Sequence, residues 1–382
     1  MMGTVLNMAV LSPSQPAVAA ETWNLTSAIP LGSRDEIRPA ISEPNAVLYE
    51  ENFPFVTRAG SELLVDGQPF RFTGLNIFNA NSVNNSCWGG LGAGPGLDEA
   101  LTAIGPGQTV FRAWFFQNLA TSNGERDWSA FDHTLSVARQ HGVRVIATLG
   151  NFWNDCEGSA MPAKYRTESW FRTGYRNQHA SGLPATYREW AAEVVSRYRN
   201  DPTIMAWQLI NEASTPSDGG SGACTRTSAA TLRAFAQDMA AMIKDIDARH
   251  LLSLGTVGGG ECGTRGADYL YVHSVPGIDL CEMHDYGPAA EPIPTHAQNG
   301  LRARLAQCRS LNKPLFIGET GMEISPTLSV AQRASALRAR LAAEFQAGVV
   351  GSLIWDWCDA QFHSCASYGV GADDPTLSLL GT

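Results

Sequence analysis

The sequence predicts an α/β fold, a (β/α)8 TIM barrel with a short N-terminal β-hairpin. First, eight short apolar runs alternate along the chain with helical patterns, which is typical of a parallel sheet wrapped by helices. Second, several of these runs end in charged or amide residues, and the carboxyl ends of barrel strands are where such folds present functional groups. A chain of 382 residues, 44% of them hydrophobic, can bury a core of that size.

The first 50 residues are predicted to precede the barrel. Residues 1–20 resemble a signal peptide, because a short apolar stretch is followed by Ala17-Val18-Ala19-Ala20, whose small residues suit a signal-peptidase site. No Lys or Arg precedes that stretch, so a disordered tail is the alternative interpretation. Residues 21–50, rich in Pro, Ser, Asn and Ala, are predicted to form an extended leader, and residues 51–382 a single barrel domain.

A β-hairpin is predicted at the start of that domain. Between Phe53 and Phe70, apolar and polar residues alternate on both sides of Asp66-Gly67, a dipeptide typical of tight hairpin turns. Such a hairpin would close the bottom of the barrel.

The predicted strands are short and mostly apolar. In chain order they are Arg71–Ile77, Thr109–Phe116, Val143–Gly150, Ile204–Asn211, Leu251–Val257, Asp279–Tyr286, Pro314–Thr320 and Val349–Trp357.

Helical patterns lie between most of these strands, and the clearest has apolar residues at three- and four-residue spacing over Thr227–Arg249. The others are Gly96–Ile104, Ala130–His141, Pro184–Arg199, Ala267–Val275, Thr295–Leu311 and Val330–Gln346. Of these, Gly96–Ile104 is short, and Ala267–Val275 is equally compatible with an irregular crossover.

Charge restricts the partners. A net charge of −10 argues against nucleic acid and against an anionic membrane surface, and no apolar run is long enough to cross a bilayer. A neutral substrate fits better, and the sequence contains no motif that requires a metal or an organic cofactor. We expect a monomer.

The eight cysteines indicate disulfides and export, because they form an even set without CxxC or zinc-ligand spacing. Cys358 and Cys365 are predicted to pair because they are close in sequence. Spacing does not determine the remaining pairs; Cys224 with Cys262 and Cys281 with Cys308 are our hypotheses. A reduced cytosolic protein with buried thiols is the alternative.

Two glutamates each end an apolar, strand-like run, in Trp207-Gln-Leu-Ile-Asn-Glu212 and Pro314-Leu-Phe-Ile-Gly-Glu319. They are 107 positions apart (319 − 212), but a closed barrel brings distant strand ends together. Retaining hydrolysis of a glycosidic bond requires one carboxylic acid and a second carboxylate about 5 to 5.5 Å away. The alternative for either residue is a strand-end carboxylate in a salt bridge. Together, Glu212 and Glu319 predict a glycoside hydrolase.

Polar neighbours at other strand ends extend this prediction. Arg112 would keep a nearby carboxylate ionised, and the Asn211 amide would reach a sugar 2-hydroxyl. His284 and Tyr286 share one face of their strand, so they are predicted to contact the carboxylates or the sugar. Asn151 is a further polar contact.

Three tryptophans are predicted to line the cleft, in the order Trp355, Trp153 and Trp114. Sugar rings stack their C–H faces on aromatic side chains, although most of the ten tryptophans are expected to be packing residues.

This pattern resembles family 5 glycoside hydrolases of clan A, from about Phe53 to Cys358. The resemblance rests on residues that occur in the family's order: Arg112, Asn211-Glu212, His284 and Tyr286, Glu319, and Trp355. It implies that Glu212 is the acid/base and Glu319 the nucleophile.

Within the family, Phe111-Arg-Ala-Trp-Phe, Leu149-Gly-Asn-Phe-Trp and the segment ending in Asn211-Glu212 look most like the endo-β-1,4-mannanase branch. That branch usually has Pro-Arg after the acid/base, whereas this chain has Ala213-Ser214. The resemblance implies a secreted enzyme acting on mannan-type polysaccharides.

Other functions remain open. A β-1,4-glucanase or an exo-acting β-glycosidase would use the same machinery, and the long segments 155–182 and 214–226 would favour exo action if they block one end of the cleft. A non-catalytic sugar-binding barrel is disfavoured because both glutamates are present.

Overall fold

The computed structural model describes residues 53–84, 86–105, 107, 109–157, 165–359 and 367–381. These residues all fall in one compact unit, Tyr49–Thr382. The predicted signal-like segment and leader lie outside the described residues. Within the described ranges, no helix combines the length and apolar character needed to cross a membrane.

An antiparallel sheet at the N-terminal side is made of β1 (Val56–Ala59), β2 (Glu62–Val65) and β3 (Gln68–Phe70). Asp66 and Gly67 both have positive φ angles, 51° and 73°, which is the conformation that a tight two-residue hairpin turn requires. Val56, Leu63 and Phe70 pack with residues from the amino-terminal parts of the barrel strands. The predicted hairpin is therefore present, with one additional strand.

The barrel has eight parallel strands, as predicted. They are β4 (Phe72–Asn76), β5 (Thr109–Trp114), β8 (Arg144–Thr148), β9 (Ile204–Gln208), β10 (Leu251–Ser253), β11 (Cys281–Asp285), β12 (Leu315–Thr320) and β13 (Gly351–Ile354). The remaining strands, β6 (Thr121–Ser122) and β7 (Glu125–Arg126), form a small hairpin after β5.

The sheet closes between β10 and β11. Ser253 and Leu280 form a parallel bridge, and the Leu280 N–H donates to the Leu252 carbonyl at 3.1 Å. Because the sheet is closed, the carboxyl ends of all eight strands surround one mouth.

Seven of the eight α-helices in the described residues overlap the predicted segments. The bounds of the eight are α1 (Gly96–Ile104), α2 (Ser129–Gln140), α3 (Tyr175–Asn177), α4 (Tyr187–Tyr198), α5 (Ser228–Ile246), α6 (Asp268–His273), α7 (Leu301–Ser310) and α8 (Val330–Ala347). Helix α7 starts later than predicted, at Leu301, and the short α3 was not predicted. Gln117–Ala120 and Pro375–Leu379 are 3₁₀ turns, and the π-helical turn Trp170–Gly174 leads into α3. The segment Ala267–Val275 is thus mainly helical rather than irregular.

Side-chain caps define two of these helix starts. Thr186 and Glu189 form a reciprocal capping box at α4, and Ser329 with Gln332 forms the same motif at α8. Gly348, with a φ of 109°, ends α8.

Three disulfides join described residues. Cys224–Cys262 and Cys281–Cys308 are the two hypothesised pairs, and both are confirmed. Cys87–Cys156 was not predicted, because its 69-residue separation carries no pairing signal. The predicted partner of Cys358, Cys365, lies outside the described residues.

Candidate active site

Glu212 and Glu319 meet at the carboxyl-terminal mouth of the barrel. Glu319 lies near the end of β12, and Glu212 follows β9. One oxygen of each carboxylate and a ring nitrogen of His284 lie within 4.8 Å of one another. The closed sheet therefore brings together two carboxylates that are far apart in sequence.

The Glu319 carboxylate accepts hydrogen bonds at both oxygens. The Arg112 Nη1 donates to Oε1 at 2.7 Å, and the Tyr286 hydroxyl donates to Oε2 at 2.7 Å. Arg112 is fully buried and Glu319 nearly so. A buried ion pair with satisfied hydrogen bonds fixes the direction of the carboxylate.

Arg112 connects Glu319 to neighbouring strands. Its other N–H groups donate to Asn76 Oδ1 at 2.9 Å and Gln208 Oε1 at 2.8 Å, and to the Asn211 side-chain oxygen. Arg112 on β5 thereby binds side chains from β4, from β12 and from β9 and the segment after it, and its planar fork fits this arrangement.

Glu212 has a left-handed backbone, with a φ of 56°. For a non-glycine residue this conformation is strained, and such strain occurs at functional sites. The side chain makes two contacts: His284 Nδ1 lies 3.0 Å from Oε1, and Trp153 Nε1 donates to Oε2 at 2.5 Å. Burial alone would raise the pKa of Glu212, but the His284 and Trp153 contacts and the charge of Arg112 outweigh it and lower the pKa.

His284 lies between three carboxylates. Its Nδ1 is 3.0 Å from Glu212 and 3.5 Å from Glu319, and its Nε2 is 3.2 Å from Glu282. Burial lowers the pKa of His284, but Glu319, Glu212 and Glu282 together raise it to about 10. The ring is therefore protonated at neutral pH, and both nitrogens donate.

Sequence reasoning missed Glu282. It lies in β11 two residues before His284, so strand alternation puts both side chains on the same inward face. The same two-residue alternation that predicts a shared face for His284 and Tyr286 also includes Glu282.

The two asparagines contact each other. Asn211 Nδ2 donates to Asn151 Oδ1 at 2.9 Å, and Asn151 Nδ2 donates to the Asp155 carbonyl at 3.1 Å. Asn151 is almost fully buried, so its amide orients Asn211 within the protein.

The three tryptophans have different environments. Trp355 is partly exposed and stacks on Phe78 with ring centroids 5.2 Å apart. Trp153 is also partly exposed and reaches Glu212 through its indole N–H. Trp114 differs from the expected stacking surface: it is 2% exposed, with Phe116 stacked against it and the Arg112 guanidinium 4.5 Å from the ring centroid.

Glu212, His284 and Glu319 also form the one cluster of three candidate metal ligands in the described ranges. Their surroundings suit hydrogen bonding better than metal binding. A metal-ligating histidine must be neutral, whereas His284 has a pKa of about 10, and Glu319 is already paired with a guanidinium.

Comparisons with known proteins agree with this architecture. Residues 65–361 match the model of the cellulase family, glycosyl hydrolase family 5. A mannan endo-1,4-beta-mannosidase 8 from Oryza sativa subsp. japonica is 28% identical over 306 residues, which is 70% of this chain and 79% of the rice protein.

Solved structures share the fold. The endo-1,4-beta-mannanase of Rhizomucor miehei has a TM-score of 0.64 at 18% identity, covering 85% of this chain and 96% of that one. The exo-beta-1,4-mannosidase Op5Man5 from Opitutaceae bacterium strain TAV5 has a TM-score of 0.58 at 17% identity, covering 84% of this chain and 60% of that one.

Proposed function

The chain belongs to glycosyl hydrolase family 5, and from that membership we propose that it is a secreted, retaining endo-β-1,4-mannanase. The observation that carries the mechanism is the proximity of the two carboxylates, whose oxygens come within 4.8 Å of each other. Retaining enzymes have carboxyl groups about 5 to 5.5 Å apart, whereas inverting enzymes need about 6.5 to 9.5 Å to admit a water.

In the first step, Glu319 attacks the anomeric carbon while Glu212 gives its proton to the leaving oxygen. Arg112 and Tyr286 each donate a hydrogen bond to one oxygen of Glu319, and these two bonds fix the orientation of its carboxylate. In the second step, Glu212 takes a proton from water, which then hydrolyses the glycosyl ester.

Proton delivery by Glu212 requires a change of environment, because its pKa is lowered in the free site. A bound sugar excludes water from the mouth and strengthens the burial effect, which raises the pKa. Once Glu319 is esterified, its negative charge is lost, and this favours the ionised Glu212 that the second step needs.

Mannan is the proposed substrate because the rice relative is named for endo-acting hydrolysis of mannan. Asn211 is the proposed contact of the sugar 2-hydroxyl and Trp355 the proposed sugar platform. The disulfides support an extracellular location, since such bonds persist in oxidising compartments. We further propose a leader before a single barrel domain, and a monomer.

A reducing-end assay on mannan, glucomannan and cellulose tests the substrate, with products sized against time. Mixed mannooligosaccharides at early times are the expected result. The anomeric configuration of the first product, followed by proton NMR, tests retention, and detection of the inverted anomer first would overturn the mechanism. The reducing-end assay with Glu319→Gln protein measures the background release of reducing ends that does not depend on the proposed nucleophile.

Exo action is the second candidate, because hydrogen bonds connect the segment after β8 to the segment after β9. The Tyr165 hydroxyl donates to the Gly220 carbonyl at 3.0 Å, and the Thr225 hydroxyl donates to Glu168 at 2.6 Å. A wall of this kind beside Glu212 would block one end of the cleft. Release of monosaccharide alone from mannan would favour this candidate.

Glucan hydrolysis is tested by the same assay. Ser214 occupies the position at which the mannanase branch usually has arginine. Its hydroxyl lies 3.5 Å from the Cys262 carbonyl and supplies no positive charge to the substrate. Preferential release of sugars from cellulose would show that a different β-glycan is the substrate.

A further inference from the structure

We propose that Glu282 is a positioning residue that holds the Nε2 side of the His284 ring and thereby controls the proton that His284 shares with Glu212 and Glu319. The inference rests on the proposed function and deepens it. Glu282 contacts neither glutamate directly; its carboxylate Oε1 lies 3.2 Å from His284 Nε2, and the opposite ring nitrogen faces Glu212 at 3.0 Å.

The carboxylate of Glu282 has a dedicated set of donors. The Ser253 hydroxyl donates to Oε2 at 2.6 Å, and the Gln208 amide donates to Oε1. Glu282 is 0% exposed, and these partners come from β10 and β9. Burying an ionised carboxylate costs several kcal/mol unless charges and hydrogen bonds compensate, so the donors and His284 account for its presence.

Strand β12 leaves space for this pair. A Cβ at Gly318 would lie 2.1 Å from Glu282 Oε1 and 2.9 Å from His284 Nε2. Both distances are shorter than the contacts that Cβ atoms make in proteins, so a side chain here would displace Glu282 or His284. Gly318 is also skipped in the pairing of β11 with β12, where the register shifts between Met283 and His284. Glycine at this position is therefore explained by the Glu282 and His284 side chains.

Glu282 also connects to the other side of the site. The Gln208 side chain accepts from Arg112 at 2.8 Å and from the Thr148 hydroxyl at 2.7 Å, which orients its amide N–H groups toward Glu282. Arg112 in turn binds Glu319. Glu282, His284, Glu319, Arg112 and Gln208 thus form a closed ring of polar contacts.

The charge of Glu282 acts on His284, and through His284 it affects the Glu212 carboxylate on the other side of the imidazole ring. The charged groups that face the Glu282–His284 pair are Arg112, Glu212 and Glu319. Tyr286 contacts Glu319 and is itself affected by Asp356, and Tyr269 and His273 of α6 lie on the outer side of β11. Removing the negative charge of Glu282 lowers the pKa of His284, which loses a neighbouring carboxylate, and lowers the pKa of Glu212, which loses a like charge.

The first test is the pH profile of kcat/KM in Glu282→Gln protein. The alkaline limb, which reports ionisation of Glu212, is expected to move to lower pH by about 1 unit, because a lost negative charge at this distance shifts neighbouring pKa values by that order. Glu282→Asp keeps the charge and is expected to recover part of the shift.

The matched control is Asp247→Asn, which breaks a buried carboxylate contact with His250 outside the barrel mouth. It is expected to lower thermal stability and leave both limbs unchanged. If Glu282→Gln behaves in the same way, Glu282 is only structural and the proposal is overturned.

Nitrogen NMR of the His284 ring gives a readout independent of turnover. The resonance is assigned by its loss in His284→Gln protein. The apparent pKa of His284 is expected to fall in Glu282→Gln protein and to fall less in Glu282→Asp protein. If the glutamine variant does not fold, the aspartate variant alone provides the test. An unchanged titration overturns the inference, whereas wild-type protein inactive on all three polysaccharides contradicts only the proposed function.

Discussion

At the scale of residues, the two glutamates have contacts that suit different tasks. Glu319 is held by two donors, Arg112 and Tyr286, which direct it without supplying a proton to transfer. Glu212 is partly exposed and contacts His284 and Trp153, which a substrate can rearrange. The difference in surroundings supports the proposed division into nucleophile and acid/base.

Replacing the proposed nucleophile should abolish turnover with little effect on folding. Glu319→Gln keeps the side-chain volume but cannot attack the anomeric carbon, so kcat on mannan is expected to fall by more than about 1,000-fold. Steady-state assays and circular dichroism measure the two effects. Wild-type turnover in a folded Glu319→Gln protein would refute the assignment.

The Trp153 indole should set the alkaline limit of activity. Its N–H stabilises ionised Glu212, so Trp153→Phe should raise the pKa of Glu212 and move the alkaline limb of kcat/KM to higher pH. The pH profile measures this shift. Trp128→Phe, which alters a stacked pair with Trp190 outside the site, should leave the limb in place. A limb that is unmoved or moves acid in Trp153→Phe would contradict the role of the indole.

At the scale of elements, strand ends and the loops after them build the site. The loop after β4 and the loop after β8 are joined by Cys87–Cys156, and the Glu157 carboxylate next to that bond accepts the Asn151 N–H at 2.7 Å. The pairing of β11 with β12 leaves space at Gly318 for two inward side chains. Each feature depends on two elements together.

Gly318→Ala should damage the site from within the sheet. The added methyl would overlap Glu282 and His284, so we expect a loss of about 1–3 kcal/mol in unfolding free energy and a large fall in kcat. Denaturant unfolding and steady-state kinetics measure both. Gly219→Ala is the control, because a Cβ there meets nothing within 4 Å. Wild-type stability in Gly318→Ala would show that β12 relaxes around the methyl group.

The Cys87–Cys156 disulfide should stabilise the mouth. The double substitution Cys87→Ala with Cys156→Ala is expected to cost about 2–4 kcal/mol of stability and to raise KM, because the loop beside Asn151 loses its tether. Removing Cys281–Cys308, which joins β11 to α7, should lower stability without raising KM. Equal KM values in both variants would contradict a role at the mouth.

At the scale of the whole molecule, buried ionisable groups outside the mouth affect how stability depends on pH. Glu344 on α8 is fully buried, and burial together with Asp285 raises its pKa to about 8, although Ser352 and Arg340 act in the opposite direction. Between the usual glutamate pKa and about 8, the folded state binds more protons than the unfolded state. Stability therefore falls as pH rises through this window.

Glu344→Gln should remove this dependence. The variant is expected to match wild type near pH 4 and to melt at a higher temperature at pH 9, where wild-type Glu344 is ionised in a buried site. Thermal melts across this range provide the measurement. A difference that stays constant with pH would mean that Glu344 does not titrate as described.

The sequence by itself determined the barrel, its eight parallel strands and its longer helices, and it placed Glu212 and Glu319 at the carboxyl-terminal side of the sheet. These features depend on local periodicity and on which residues follow an apolar run, and both are properties of neighbouring residues in the sequence. Spacing along the chain does not determine the Cys224–Cys262 and Cys281–Cys308 pairs, although the structure contains both.

Only the tertiary structure decided which side chains meet. The contacts of Glu282 with Gln208 and Ser253 join β11 to β9 and β10 across the closure of the sheet. The Cys87–Cys156 bond joins the loops after β4 and β8, and Trp114 is buried against Phe78 and Trp355 from other elements. Sequence patterns tell which face a residue lies on, but distances across a barrel follow from how all eight strands pack at once.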